Sequence, residues 1–453
     1  MRRRCCTVLL ACAGAAVTLG GVRSAATAQR DASGPAASFA YPAQWAGGTG
    51  RDPVSVAIAD LNGDGNADLV TANDEADTLS VLVNRGHGKF RAKRDYRTGR
   101  YPRSVASGDL NGDGKLDLAT ANRIANSVSV LLNRGDGTFS ARRDYQGGSG
   151  TEFVNIGDFN GDGKPDLATA NDEASTVSVL LNRGDGSFEA KRDYRVGKGP
   201  SSVAGGDLNG DGKSDLVSAN RGAGTVSVLL NRGDASFEAK RDYPTGSRPQ
   251  SIAIGELNAD GRPDMAVARE DENAIDVLLN AGDGGFPTRR DYAIQGASRV
   301  AIGDLNGDRK PDLAAANQDP STVSVLANRG DGSFPARRDF PTGAADSVAI
   351  GDLNGDRKPE LATTQGTAGQ TIPDGGIWML RNTTGLCTVP NVMGRTLRAA
   401  KRAVAHANCR IGNTRRAYSR VKKGRVISET PKPRTVLPNG GKVNLVVSRG
   451  RKH

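Results

Sequence analysis

Histidine is almost missing from this chain. His87, His406 and His453 are the only three in 453 residues. They fall in a turn, a basic helical stretch and the terminus, so a histidine-based triad or zinc centre has no home. Aromatic residues make up 4% of the composition, and the many Gly and Asp beside them suit short strands joined by turns. Long apolar runs are scarce. After residues 5–22 nothing approaches the roughly 18 apolar residues of a membrane-spanning helix. Acid is scarce at one end: residues 387–453 carry 17 Lys/Arg and a single acid, Glu429.

Five cysteines remain to be placed. Arg2, Arg3 and Arg4 precede the apolar run holding Cys5, Cys6 and Cys12, and Ala26-Thr27-Ala28 follows it. This is the pattern of an export signal over residues 1–28. Its removal leaves only Cys387 and Cys409, an even pair that an oxidising compartment is expected to join. Leu9-Leu10-Ala11-Cys12 offers the alternative of a lipoprotein box with a lipid anchor on Cys12. Either route makes the protein exported, extracellular or associated with the cell wall.

What the chain has in abundance is repetition. Asp-Leu-Asn-Gly-Asp-Gly, or a near variant, starts at Asp60, Asp109, Asp158, Asp207, Glu256, Asp304 and Asp352, in steps of 49 or 48. A fixed period near 50 means one supersecondary unit repeated. In the third copy, residues 153–157, 167–170 and 176–181 read as strands, Asn182-Arg183-Gly184-Asp185-Gly186 as a hairpin turn, and Phe188, Ala190 and Tyr194 as a fourth strand. Seven such units give a mainly β fold, a seven-bladed propeller over residues 39–384. The seventh unit lacks a Phe-bearing fourth strand, while Phe39-Ala40-Tyr41 precedes the first strand with nothing to join. The N-terminal segment is therefore expected to close the ring.

In the first loop Asp60, Asn62, Asp64 and Asp68 hold positions 1, 3, 5 and 9; Gly65 permits the bend and Asn66 offers a carbonyl. The set recurs as Asp109, Asn111, Asp113 and Asp117, then Asp158, Asn160, Asp162 and Asp166, then Asp207, Asn209, Asp211 and Asp215. It continues as Glu256, Asn258, Asp260 and Asp264, then Asp304, Asn306, Asp308 and Asp312, and finally Asp352, Asn354, Asp356 and Glu360. All-oxygen donors around a Gly-bearing turn suit Ca²⁺, up to seven ions. Thr71 stands where an EF-hand has its last Glu, and no helices flank the loop. Turn chemistry alone would explain Asp, Asn and Gly, but not three mutually repelling carboxylates within nine residues. Glu256, Glu360, Arg309 and Arg357 depart from the pattern and are expected to weaken the fifth, sixth and seventh sites. Residues 31–386 carry ten more acids than bases, a repulsion that calcium would relieve.

These loops, together with Val-Ser-Val-Leu-Leu-Asn-Arg-Gly-Asp-Gly-Ser-Phe at 177–188, resemble the FG-GAP/VCBS repeats of bacterial surface proteins and integrin α subunits. The resemblance implies calcium-bearing propellers, often in adhesion or glycan binding. Arg-Gly-Asp recurs at 134–136, 183–185, 232–234 and 329–331, where hairpin chemistry explains it better than integrin binding. Basic pairs such as Lys93-Arg94 and Lys191-Arg192 sit on the outer strands, as edge protection or as a belt for anionic polymers.

Residues 387–450 change character. Leu397, Ala400, Val404 and Ala407 have helical spacing, and 425–428 and 443–447 read as strands. Val-Pro-Asn-Val-Met-Gly, Val-Ile-Ser-Glu-Thr-Pro and Val-Asn-Leu-Val-Val-Ser resemble a PASTA domain, a small α+β module found on penicillin-binding proteins and wall-sensing kinases. The resemblance implies peptidoglycan or acidic wall polymer as partner, and a Cys387–Cys409 bridge at the end of the helix; a basic spacer is the plainer reading. Export and a single aromatic, Tyr418, argue against nucleic acid.

The loops and hairpin turns share one face of the ring. The opposite face is built from segments that vary most, at 73–77, 122–126, 269–273 and 365–376, with Arg100, Tyr101 and Arg248 leading into it. Variety on free loops points to that face for a glycan or surface protein. The sequence thus reads as a monomeric binding or adhesion protein and not an enzyme; a secreted glycan-active hydrolase or lyase is the alternative. Trp378 stands where the third repeat has Ser178, as a sugar platform or as packing.

Overall fold

The computed structural model describes residues 37–40, 44–343, 345–365, 375–437 and 441–452. The expected export signal, Cys12 and most of the 365–376 insertion lie outside them.

Each repeat forms a four-stranded antiparallel sheet, and the described residues contain seven of these. In the third, Thr151–Gly157, Asp166–Asn171, Thr176–Leu180 and Arg192–Arg195 pair in sequence order. The second strand is buried along its whole length, because a sheet covers each face. Leu167 and Leu180 pack on Ala119 and Ala121 of the preceding sheet, while Ala168 and Val177 pack on Val203 and Leu216 of the following one. Period-2 alternation therefore feeds two interfaces rather than one core and one wet face. Each fully buried Leu or Val adds about 1.5–3 kcal/mol.

The fourth strand is shorter than expected. Phe188 makes only an isolated bridge with Asn182, and the ladder resumes at Arg192. The reason is that Phe188 serves the preceding sheet, its ring standing edge-on to Tyr145 at 5.1 Å. Tyr96–Phe139, Tyr194–Phe237, Tyr243–Phe286 and Tyr292–Phe334 repeat this T-shaped contact, a geometry that adds about 0.5–1.5 kcal/mol per pair.

The N-terminal segment closes the ring. Gln44–Gly48 pairs with Gly376–Leu380 as the outer strand of the last sheet. Phe39 bridges Asn382 and meets Phe340 edge-on at 5.2 Å, so it supplies the aromatic that the seventh repeat lacks. At the inner strands, Ser347 Oγ accepts from Val56 N at 3.3 Å, joining last repeat to first.

The hairpin turn carries a latch that its sequence did not announce. Asn182 Nδ2 donates to Leu110 O of the preceding repeat and to Pro165 O of its own. Asn133, Asn231, Asn280 and Asn328 do the same. Asn84 reaches Leu353 O, across the closure.

In the C-terminal module the helix Leu397–His406 starts at Thr396, whose Oγ1 accepts from Ala399 N. Arg410–Ala417, Lys442–Ser448 and Val426–Thr430 form a mixed three-stranded sheet, the first two parallel. Arg410–Ala417 was not expected, since Arg415-Arg416 interrupts any apolar alternation; pairing with its parallel neighbour Lys442–Ser448 places it. Cys387 and Cys409 are disulfide-bonded.

Candidate functional site

The seven Asp loops connect the innermost strand of each sheet to the second. In the first, Asp60 turns inward: Oδ1 accepts from Gly63 N at 2.8 Å and Oδ2 from Gly65 N at 2.8 Å. Asn62 and Asp64 each accept from the backbone two residues on, the Asx turn that suits these side chains. Asp68 is buried and clamped between Leu61 N at 2.9 Å and Asn84 N at 2.7 Å. One carboxylate thus ties the loop to the hairpin turn, placing both on one face.

Burial raises Asp68 to about 6, and the charges of Asp64 and Asp60 add to it against the two N–H bonds. Asp166, Asp264, Asp312 and Glu360 are raised to about 6 or 7 for the same reasons, and Asp117 and Asp215 in the same direction. The three acids of each loop therefore feel one another, although among the described residues no three acidic, His or Cys side chains gather into a metal cage. The donor set fits a hard cation: every candidate atom is oxygen, and Asp308 Oδ2 is buried without a hydrogen-bond partner. Positions 1, 3, 5 and 9, with the carbonyl at 7, are the groups that would hold calcium.

The variant loops keep the backbone course. Arg309 and Arg357 adopt the left-handed φ of 65° and 64° that Gly takes elsewhere, and their N–H groups still reach Asp304 and Asp352. Glu256 accepts from Asn258, Ala259 and Gly261. Glu360 accepts from Leu353 N at 3.0 Å and also from Asn354 Nδ2 at 2.6 Å, while Asn354 Oδ1 still accepts from Asp356 N as in the other loops.

The opposite face holds a cavity of about 260 Å³ on the ring axis. Every repeat contributes the second residue of its innermost segment: Arg103, Glu152, Ser201, Gln250, Ser298 and Asp346, with Val54 the apolar exception. The turns between second and third strands add charges. Arg103 pairs with Asp74 at 2.5 Å and Glu152 at 3.2 Å. Arg123 pairs with Glu152, and Arg221 with Asp172 at 2.8 Å. The variable segments at 73–77 and 122–126 therefore build this rim, where sequence variety placed a ligand. The lining residues themselves were missed, because each stands alone in its repeat; only alignment of the repeats exposes the position.

The outer-strand basic pairs are tied down. Lys93 bonds Asp95 at 2.6 Å and Arg142 bonds Asp144 at 2.9 Å; Arg241, Arg290 and Arg338 donate to carbonyls of adjoining segments. The Arg-Gly-Asp turns are internally bonded, with Ser187 N donating to Asp185 and Arg183 to Phe188 O. In the C-terminal module Glu429 is buried and accepts from Val392 N. Among the described residues of that module no cation has a carboxylate partner.

A family model for the FG-GAP-like repeat matches residues 60–120, 109–169, 158–218, 207–267, 257–315 and 304–363. The chain belongs to the FG-GAP-like repeat family. A PASTA domain model matches residues 388–449. Among solved structures, the chain is similar to BBS1N from a complex with ARL6DN, at 14% identity and a TM-score of 0.53, over 77% of this chain and 97% of that one. It is also similar to a putative 6-phosphogluconolactonase from Bacteroides uniformis, at 18% identity and a TM-score of 0.51, over 64% of this chain and 86% of that one. Both likenesses concern the propeller fold.

Proposed function

We propose that this FG-GAP repeat protein is an exported, calcium-stapled binding protein held at the cell wall by its PASTA module. The observation that carries the reading is a division between faces. One repeats a single carboxylate loop in all seven sheets, and the other sets six kinds of residue from seven repeats around an axial cavity. Repetition serves the scaffold, variety serves recognition. Calcium at the loops would neutralise crowded carboxylates and pin two strands of each sheet, so its role is structural. Binding of a glycan or surface protein on the varied face accounts for that face without catalysis.

The PASTA module, with 17 Lys/Arg against one acid and no cation paired with a carboxylate among its described residues, suits peptidoglycan-linked or other acidic wall polymers through long-range, salt-sensitive attraction. The disulfide and the Arg-rich, apolar start of the chain fit export.

Calorimetric titration of the mature chain with calcium, beside melting curves in calcium and in chelator, tests the loops. Several bound ions and a large rise in the melting temperature are expected; no heat at millimolar calcium removes the metal. Retention on purified wall polysaccharides, falling with salt and without product formation, tests the binding role. Turnover of a polysaccharide would replace it with an enzymatic one.

A further inference from the structure

One position past the cavity lining, five repeats carry serine. Ser55, Ser104, Ser202, Ser251 and Ser347 each accept from a backbone N–H of the next innermost strand, at 2.9–3.5 Å. They form a stitched collar around the axis. The collar is broken twice, by Phe153 in the third repeat and Arg299 in the sixth. The two exceptions meet, with the Arg299 guanidinium carbon 5.2 Å from the centre of the Phe153 ring.

Arg299 differs from the other arginines of this face. Arg103, Arg123 and Arg221 all have carboxylate partners. Arg299 is in no ion pair among the described residues, and its Nη1 is buried without a hydrogen-bond partner. Burial, with the charge of Arg103 and against the charges of Glu152 and Asp346, pushes it down to about 10, so it stays cationic at neutral pH. Leaving a buried guanidinium donor unmatched is destabilising, and two collar bonds are forgone as well. Stability alone would have kept serine here. The Phe153 ring beside the guanidinium holds it without supplying a hydrogen-bond acceptor, and Arg299 lines the cavity.

We propose that the axial cavity is a binding site for a sugar acid, with Arg299 receiving the carboxylate. The planar fork of donors matches a carboxylate. The remaining lining offers acceptors: the carbonyl oxygens of Gln250 and Gln318, whose amide nitrogens are engaged by Glu270 and Asp346, and the hydroxyl oxygens of Ser201 and Ser298, whose protons go to backbone carbonyls. Acceptors require a ligand with hydroxyl donors. An apolar peptide side chain would find little to pack on beyond Val54. A space of about 260 Å³ takes one hexuronate-sized unit, so the site reads a chain end or a free acid. The inference rests on the varied face being the ligand face.

The test is isothermal titration of the full mature chain, in calcium, with sodium glucuronate, glucose and alanylalanine. Glucuronate binding is expected, with glucose and alanylalanine at least tenfold weaker. Arg299→Ser restores the collar residue of five other repeats, so its melting temperature is expected to hold or rise while glucuronate affinity falls at least tenfold. Phe153→Ser is expected to weaken binding less. No glucuronate binding by the wild type, equal binding by Arg299→Ser, or a preference for alanylalanine would overturn the proposal. Retention on a neutral wall glycan at high salt, where the attraction of the basic module is screened, is scored separately: if it persists without glucuronate binding, the broader reading of this face stands and the acid site alone fails.

Discussion

Arg269 Nη2 lies 2.8 Å from Asp276 Oδ1 on the adjoining strand, an ion pair sealed inside the fifth sheet. Five other sheets carry Asn and Ser at these two positions, with Asn73 Nδ2 donating to Ser80 Oγ at 2.8 Å and Asn171 to Ser178 at 2.7 Å, and the seventh carries Gln365 and Trp378. The fifth repeat has exchanged a neutral hydrogen bond for a charge pair of similar reach. Removing one partner of such a pair is costly, because the other is left buried and uncompensated. Arg269→Asn is expected to lower stability by about 3 kcal/mol, since Arg289 still stands near Asp276. The double variant Arg269→Asn/Asp276→Ser rebuilds the common arrangement and is expected to return to within about 1 kcal/mol of wild type. Urea melts of both variants measure the difference.

The same pair gives a pH signature. Burial, first, and a hydrogen bond shared with Asp291 raise Asp276 to about 7, against the opposing charges of Arg269 and Arg289. Glu272 also faces Arg269. A carboxyl whose folded value exceeds its unfolded one favours the folded state fully at pH below the unfolded value, near 4. That contribution is lost as pH rises through about 7, by up to about 4 kcal/mol. Wild type is therefore expected to lose stability relative to the double variant between pH 4 and 8. Parallel curves across that window would show that Asp276 stays ionised throughout.

Asn182 joins two repeats with one side chain, its Nδ2 2.8 Å from Leu110 O and 2.7 Å from Pro165 O. Asn182→Ala leaves two carbonyls short of a donor in a buried place and is expected to cost about 2–4 kcal/mol. Asn182→Asp removes both donors and sets a second carboxylate near Asp166, so it is expected to be worse still. Thermal melts of the two variants rank them. The reverse order would mean that the latch is not the source of the loss.

Much of this was legible in the chain because repetition multiplies a weak signal. One stretch such as 176–181 is an ambiguous apolar run; seven at fixed spacing are third strands. The ring closure was readable from what the seventh repeat lacks and Phe39 supplies. The short fourth strand was not, since Phe188 leaves its own ladder for Tyr145 of another sheet, a contact that local alternation cannot carry. Asn182 looked like turn chemistry alone for the same reason. Arg299 was hidden differently. It is a single departure from serine, and only the ring geometry brings it onto Phe153, three repeats away.

The loops allow strain and charge to be separated at one position. Gly163 sits at position 6 of the third loop with φ of +79° and open space where a Cβ would stand. An Ala there pays for the left-handed backbone, about 1–2 kcal/mol, but meets no neighbour. An Arg there pays the same and adds a cation beside the candidate calcium site, as Arg309 and Arg357 do in the sixth and seventh loops. Gly163→Ala is expected to lower the melting temperature in chelator while leaving calcium affinity within a few-fold of wild type. Gly163→Arg is expected to lose affinity further at low ionic strength, and to regain part of it as salt screens the charge. Conversely, Arg309→Gly is expected to strengthen the sixth site and stabilise the calcium-free protein. Calorimetric titrations at two salt concentrations read both effects. Equal affinities for the Ala and Arg variants would attribute any weakness of the last loops to backbone strain alone, and would leave the charge at position 6 without effect on the ion.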